Sequence, residues 1–171
     1  MHETDDPIQL RLNKMKKVIR NILVGSAILF VIAVLFTIIT DFLAIGNVSK
    51  AKTHLSKKQF GDVATYITDE IKGCSQGETI VMGGNLTCDD RTAASVIAAT
   101  VITTKGDQVN PYETAYSSVT SGGTNTSDSD AGYIRLGVSG ENIIIKTCHT
   151  KPCSNENNRL SKKIPIEIIN Y

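Results

Sequence analysis

The chain of 171 residues contains no tryptophan, and aromatic residues make up only 5% of it. Proteins that hold single-stranded nucleic acids or sugars by stacking need aromatic platforms, so this composition argues against such a surface. A strong excess of one charge is also missing, because 17 Asp and Glu residues balance 18 Lys and Arg residues. A net charge of +1 supplies no global field to hold a polyanion, and we expect no nucleic-acid partner.

Motifs of the common enzyme classes are absent as well. The only histidines are His2, His54 and His149, and the chain contains no G-x-S-x-G nucleophile motif. A phosphate-binding glycine loop, a dinucleotide fingerprint and the H-E-x-x-H zinc motif are also missing. We therefore expect no catalytic residues and a protein that is not an enzyme.

A long apolar run lies near the N-terminus. Residues 22–40 include no charged side chain, and they are apolar on every side of a helix rather than along one stripe. At about 1.5 Å per residue this run spans about 28 Å, which matches the hydrocarbon core of a membrane. Its length, and the poor cleavage site that follows it, favour a retained transmembrane helix at 21–46 over a cleaved signal peptide.

The charges beside this helix predict its orientation. Basic residues in the leader at 1–20 outnumber those just beyond the helix, where Lys50 is the nearest. All four cysteines follow the helix, which indicates disulfides in an oxidising compartment. We expect a single-pass inner-membrane protein with a cytoplasmic N-terminus and a periplasmic or extracellular domain at 47–171. Met15, which precedes two lysines, is an alternative start.

The remaining sequence predicts an α+β domain. Apolar residues between 48 and 74, including Leu55, recur three or four positions apart, which predicts an amphipathic helix that continues from the membrane. A second helix is predicted after the capping sequence at 89–92, with a strand as the alternative because its residues are largely β-branched. Residues 79–82 are a candidate short strand, and a long mobile loop is expected from 105 to 130.

Three strands are predicted near the C-terminus. Residues 132–138 and 142–148 flank a turn and form a hairpin signal. Residues 164–170 form the third strand, which Pro165 places at the edge of the sheet. The expected architecture is a long N-terminal helix packed on a small antiparallel sheet with disulfide-closed loops.

The cysteines are the most informative side chains. Cys74 and Cys88 bracket a glycine-rich loop, and Cys148 and Cys153 enclose a shorter one. Four cysteines allow three pairings, which the sequence leaves open. We predict that neighbours pair, since closing a loop of about 15 residues contributes about 3 kcal/mol in the chain-entropy model. The rival is a metal site using His149, which the wide cysteine spacing disfavours.

A second candidate site lies in the Asp/Ser-rich loop. Asp128 and Asp130 alternate and precede Gly132, as at the start of a calcium-binding loop. The later bidentate glutamate of such loops is missing at the right offset, so a merely solvated loop is the alternative. No other cofactor and no other metal site is expected.

The layout of the chain resembles bacterial type IV pilins and the pseudopilins of type II secretion. The resemblance rests on the stretches YITDEIKGC (66–74), GNLTCDD (84–90) and NPYE (110–113). Above all it rests on SDAGYIRLGVSGENIIIKTCHTKPC (129–153), which is similar to the C-terminal half of pilins from marine bacteria. It implies a pilin-like structural subunit of the cell envelope, in a type IV pilus or a type II secretion related assembly.

The same resemblance implies partners and a processing site. The implied partners are membrane lipid, other pilin-like subunits or envelope assembly proteins, and copies of the chain itself. Pilin leaders end in a glycine, and the fifth residue of the mature chain is a glutamate that registers a subunit against its neighbour. Here Gly25 and Ser26 are the candidate processing site, but Phe30 occupies the glutamate position. We therefore expect the leader to be retained.

Two other functions stay open at this point. The first alternative is a stand-alone single-pass membrane protein whose periplasmic domain binds a protein or a small ligand. An anchored hydrolase is the other, and it would need a deep pocket with converging polar groups.

Overall fold

The computed structural model describes residues 7–167, so that the first six residues of the predicted leader lie outside the described part. The chain divides into two compact units, Met1–Asn47 and Val48–Tyr171. The first helix, α1 (Pro7–Ser75), begins in the first unit and ends in the second. It therefore covers both the predicted anchor and the predicted amphipathic helix.

The first unit contains the apolar segment expected to cross a membrane. The window Leu23–Thr40 has a mean hydropathy of 2.7, and none of it is buried. Phe30 and Phe36 each expose about two thirds of their surface, 71% and 67%. The segment is long and apolar enough to span a membrane, a property that a signal sequence near an N-terminus shares.

In the second unit, α1 buries one stripe of apolar side chains. Val63, Ile67 and Ile71 follow one another at intervals of four residues, which places them on one face of the helix, and all three are buried. The predicted stripe is wrong at Leu55, which is 43% exposed. Gln59 is buried instead, and its amide donates a hydrogen bond of 2.9 Å to the carbonyl of Val109. A hydrogen-bonded polar contact thus replaces the expected apolar one at this level of the helix.

The second helix, α2, spans Ala93–Thr103. Thr92 caps its N-terminus, because the Thr92 hydroxyl accepts from the Ser95 amide and the Ser95 hydroxyl accepts from the Thr92 amide. The strand considered as the alternative here is therefore wrong. Between the two helices, strand β1 (Ile80–Val81) pairs antiparallel with β2 (Leu86–Thr87).

The main sheet has four strands in the order β3-β4-β5-β6. Their bounds are Val119–Ser121, Ile134–Ser139, Asn142–Cys148 and Arg159–Pro165. The hairpin β4–β5 is confirmed, but the sheet is mixed rather than antiparallel, because β3 pairs parallel with β4. β3 also breaks up the stretch from 105 to 130 that was expected to be one loop.

The last strand corrects another prediction. β6 begins at Arg159 and ends at Pro165, whereas a strand was expected at 164–170; residues 168–170 lie outside the described part. Its edge position is confirmed, since β5 is its only partner strand among the described residues. On the face that carries Ile134, Leu136, Ile143, Ile145 and Ile164, the sheet packs with α1 and α2 in one apolar core.

Candidate functional site

Two disulfides close the loops of the second unit. Cys74 pairs with Cys88 and Cys148 with Cys153, with Cα atoms 5.4 and 5.6 Å apart. The predicted pairing of neighbours is confirmed, and the described part contains no free cysteine. The first disulfide joins the C-terminal end of α1 to the residue after β2. The second closes the segment between β5 and β6.

The second disulfide lies at a meeting point of three segments, which we call the loop junction: residues 110–112, 128–132 and 148–153. Ala131, Cys148 and Cys153 form a small apolar cluster there, against which Tyr112 packs. The Tyr112 hydroxyl donates to the carbonyl of His149 at 2.8 Å. Asn110 is fully buried, and its amide donates to the carbonyl of Ala131 at 3.1 Å. Side-chain hydrogen bonds therefore connect segments that are far apart in sequence.

A glycine is required at the centre of the junction. Gly132 has a φ of +80°, a region that side chains rarely adopt. A Cβ atom at this position would overlap Oδ1 of Asn110 and lie 2.8 Å from the ring of Tyr112. Any larger residue would push residues 110–112 away from residues 128–132.

Both candidate calcium ligands have partners within the protein. One carboxylate oxygen of Asp128 accepts from the Cys153 amide at 2.7 Å. Asp130 accepts from the Thr124 hydroxyl at 2.8 Å, from the Ser127 amide at 3.1 Å and from the Arg135 guanidinium at 2.9 Å. In the described part, no three His, Cys, Asp or Glu residues are grouped so that they could hold a metal ion. The arrangement gives these two carboxylates a structural role in closing the loop.

The surroundings of Asp130 fix its charge. Burial by itself would raise the pKa of Asp130, but the hydrogen bonds from Thr124, Ser127 and Arg135 outweigh it and hold the pKa below its usual value. Arg135 also stacks over the ring of Tyr133, 4.6 Å from its centroid. Neither Arg135 nor Tyr133 stands out in the sequence, because a single arginine in a strand carries no motif.

His149 is a loop residue within the loop junction. Its side chain is buried, and burial together with the positive charge of Lys57 lowers the pKa of His149, although a hydrogen bond to the Asn157 backbone opposes this. Burial and the nearby Lys57 charge both disfavour the protonated form of the imidazole. Its Nδ1 atom has no hydrogen-bond partner among the described residues, and its neighbour Cys148 is in a disulfide rather than at a metal.

The candidate processing site lies within α1. Gly25 has nothing within 4 Å of the position where a Cβ would stand, and the Ser26 hydroxyl donates to the carbonyl of Leu23 at 2.9 Å. The peptide bond between them is part of a regular helix.

An apolar groove runs between α2 and the sheet. It has a volume of about 560 Å³ and is lined mainly by Ile97, Val101, Ile102 and Val138. Ile102 and Val138 are both more than half exposed. Its lining includes no charged residue.

Comparison of this chain with protein-family models, with curated proteins and with solved structures found no match.

Proposed function

We propose that this protein is a pilin-like, membrane-anchored structural subunit of the bacterial cell envelope. The observation that carries the proposal is the difference in burial between the two parts of α1. Its window Leu23–Thr40 is apolar and has no buried residue, while Val63, Ile67 and Ile71 of the same helix form one side of a folded core. The N-terminal part of α1 therefore serves as an apolar anchor, and its C-terminal part packs in the core of the domain.

The exposed aromatic side chains of the anchor support this role. Phe30 and Phe36 are far too apolar to stay in contact with water, so lipid or a neighbouring helix must cover them. A bilayer would cover them in an isolated subunit, and the helices of other subunits would cover them in an assembly. We propose the cytoplasm as the location of the N-terminus and the periplasm or cell exterior as that of the domain, and we assign no catalytic role.

The disulfides of the second unit support an extracytoplasmic location. Both disulfides lie in the second unit, and structural disulfides persist where the environment is oxidising. Together with the loop junction they hold irregular segments in fixed positions. A fixed surface of this kind supports the proposed contacts between subunits, because little ordering is needed on binding.

The mature N-terminus tests the proposal. The protein is extracted from its native membrane and its intact mass is measured, together with its presence in filaments sheared from cells. We expect a retained leader, with a chain that begins at Met1 or Met15 and that detergent rather than shear releases. A mature chain that begins at Ser26 and is recovered in sheared filaments would instead make the protein a processed pilus subunit.

Cross-linking tests the assembly itself. Because the described cysteines are all in disulfides, a single new cysteine in the anchor provides a specific probe. Single cysteines replacing each residue from Leu29 to Phe36 should cross-link to neighbouring helices with a period of about 3.6 residues. Uniformly low yields along the anchor would favour a stand-alone membrane protein, for which the apolar groove beside α2 provides a candidate binding surface.

A further inference from the structure

The exposed side of α2 is apolar. The helix contains no charged residue, and its buried side already packs in the core through Val96 and Ile97. Ala94, Ala98 and Ile102 recur at intervals of four residues and are all exposed, which gives the helix a second apolar stripe. A helix that is apolar on every side is normally buried on every side, so this stripe calls for a cover.

The facing end of β4 is also uncovered. Val138 lies two residues after Leu136 in the strand, so both side chains project from the core face of the sheet. Leu136 is buried, but Val138 is more than half exposed. Val138 and the exposed stripe of α2 line the apolar groove of about 560 Å³. The groove is thus a gap at the edge of the core, with apolar side chains on both sides.

The C-terminal end of β6 leads to this groove. The Ile166 amide donates to the carbonyl of Glu141 at 3.2 Å, which holds the chain beside the β4–β5 turn. Glu167 then lines a depression of about 300 Å³ together with Ala93 of α2 and Gly140 of the turn. Ala93 directly precedes the first groove residue of α2, and Gly140 comes two positions after the last groove residue of β4. The last described residue therefore lies at one end of the groove, between the same two walls.

The four residues that follow match the groove in chemistry and in length. Residues 168–171, Ile-Ile-Asn-Tyr, include no charged side chain, and neither does the groove lining. Extended at about 3.3–3.6 Å per residue, these four residues reach about 13–14 Å. The α2 side of the groove, from Ala94 to Ile102, is about 12 Å long at about 1.5 Å per residue. The segment is therefore long enough to reach the far end of the groove.

We propose that residues 168–171 dock in this groove in extended form, as an intramolecular strap between α2 and the end of β4. The two isoleucines cover the apolar walls, and Tyr171 reaches the level of Ile102. A segment attached at the edge of the groove has an effective concentration of about millimolar, with which a second copy or another protein must compete. An apolar partner would therefore have to displace the strap. The proposal is independent of the proposed envelope role.

A single tryptophan tests the proposal, because the chain has none of its own. Tyr171→Trp is made in the full chain, which is held in lipid discs at one chain per disc. We expect a blue-shifted emission and weaker quenching by acrylamide than in Tyr116→Trp, the matched control at a tyrosine that is 61% exposed. Emission and quenching equal to those of the control would overturn the proposal.

A charge placed in the groove should release the strap. Added to Tyr171→Trp, Ile102→Glu should lower the equilibrium constant for docking about tenfold, because the apolar contact of one isoleucine is lost. Acrylamide quenching should then rise toward that of Tyr116→Trp. Ile80→Glu is the matched control, since Ile80 is also more than half exposed but does not line the groove, and it should leave the quenching unchanged. Near-ultraviolet circular dichroism checks that each variant keeps the fold.

Three outcomes would assign the cover elsewhere. Equal effects of Ile102→Glu and Ile80→Glu would overturn the assignment to this groove. Quenching of the introduced tryptophan by brominated lipids would place it in the bilayer instead of the groove. Protection that appears only in discs holding two or more chains would make a second copy the cover, and the intramolecular strap would be wrong.

Discussion

Replacing Asp130 by asparagine should destabilise the second unit through the loss of one charge. The side chain of Asp130 is only 8% exposed, and its carboxylate accepts hydrogen bonds from Thr124, Ser127 and Arg135. The asparagine side chain would keep the shape and one acceptor oxygen, but it would leave the guanidinium of Arg135 without its anionic partner. The change therefore isolates the electrostatic contribution from packing.

The size of the effect follows from the burial of both partners. Removing one member of a buried ion pair typically costs about 3–5 kcal/mol, because the remaining charge loses its compensation. The side chain of Arg135 is 22% exposed, so water compensates part of this cost, and we expect about 2–3 kcal/mol in the free energy of unfolding. At about 1–3 kcal/mol per molar urea, the midpoint should fall by about 0.7–3 M.

The effect should disappear in acid. The pKa of Asp130 is lower in the folded protein than in the unfolded chain, so its stabilising contribution is fully present above the unfolded pKa of about 3.9 and is lost as pH falls through the folded pKa. The two proteins should therefore differ at pH 7 and converge as pH falls below about 4. Since tryptophan is absent, urea titrations in detergent are followed by tyrosine fluorescence and circular dichroism.

The matched control is Asp107→Asn, because Asp107 is exposed and forms no ion pair among the described residues. It removes the same charge from the protein and should change stability by less than about 0.5 kcal/mol. The reasoning would be refuted by equal losses for the two variants, or by a loss at Asp130 that persists unchanged at pH 3.

Three further results are expected. Ile67→Ala should cost about 2–5 kcal/mol in urea unfolding, because Ile67 is fully buried, whereas Leu55→Ala should cost far less at its exposed position; equal costs would contradict the burial pattern of α1. Mass spectrometry of an unreduced digest should yield only the disulfides Cys74–Cys88 and Cys148–Cys153. Replacing both cysteines of a pair by alanine should lower the free energy of unfolding by about 3 kcal/mol for the first pair, with its 14-residue separation, and by about 2 kcal/mol for the second, with its 5-residue separation. A reporter active only in the periplasm should work when fused after Tyr171, and its silence alongside an active cytoplasmic reporter would reverse the proposed orientation.

Several features of this protein are determined locally and could be predicted from the sequence. The run at 22–40 contains no charge, so a helix that is long and apolar enough to cross a membrane follows from composition. Thr92 and Ser95 cap α2 through bonds within four residues, and Gly140 makes the two-residue turn of the β4–β5 hairpin with a φ of +61°. Neighbouring cysteines pair because the chain between them is short. In each case the interacting groups are close in sequence.

Other features depend on contacts between distant segments, and only the tertiary structure decided them. Strand β3 has three residues, too few to show alternation, and it forms because β4 offers backbone partners. Gln59 is buried because Val109, 50 residues away, accepts its hydrogen bond. Asp128 appears in sequence as a solvated acid, and its carboxylate accepts the amide of Cys153, 25 residues away, only when the loop junction forms. The register that pairs Arg135 of β4 with Lys146 of β5 is likewise a long-range property, which neither strand's sequence determines alone.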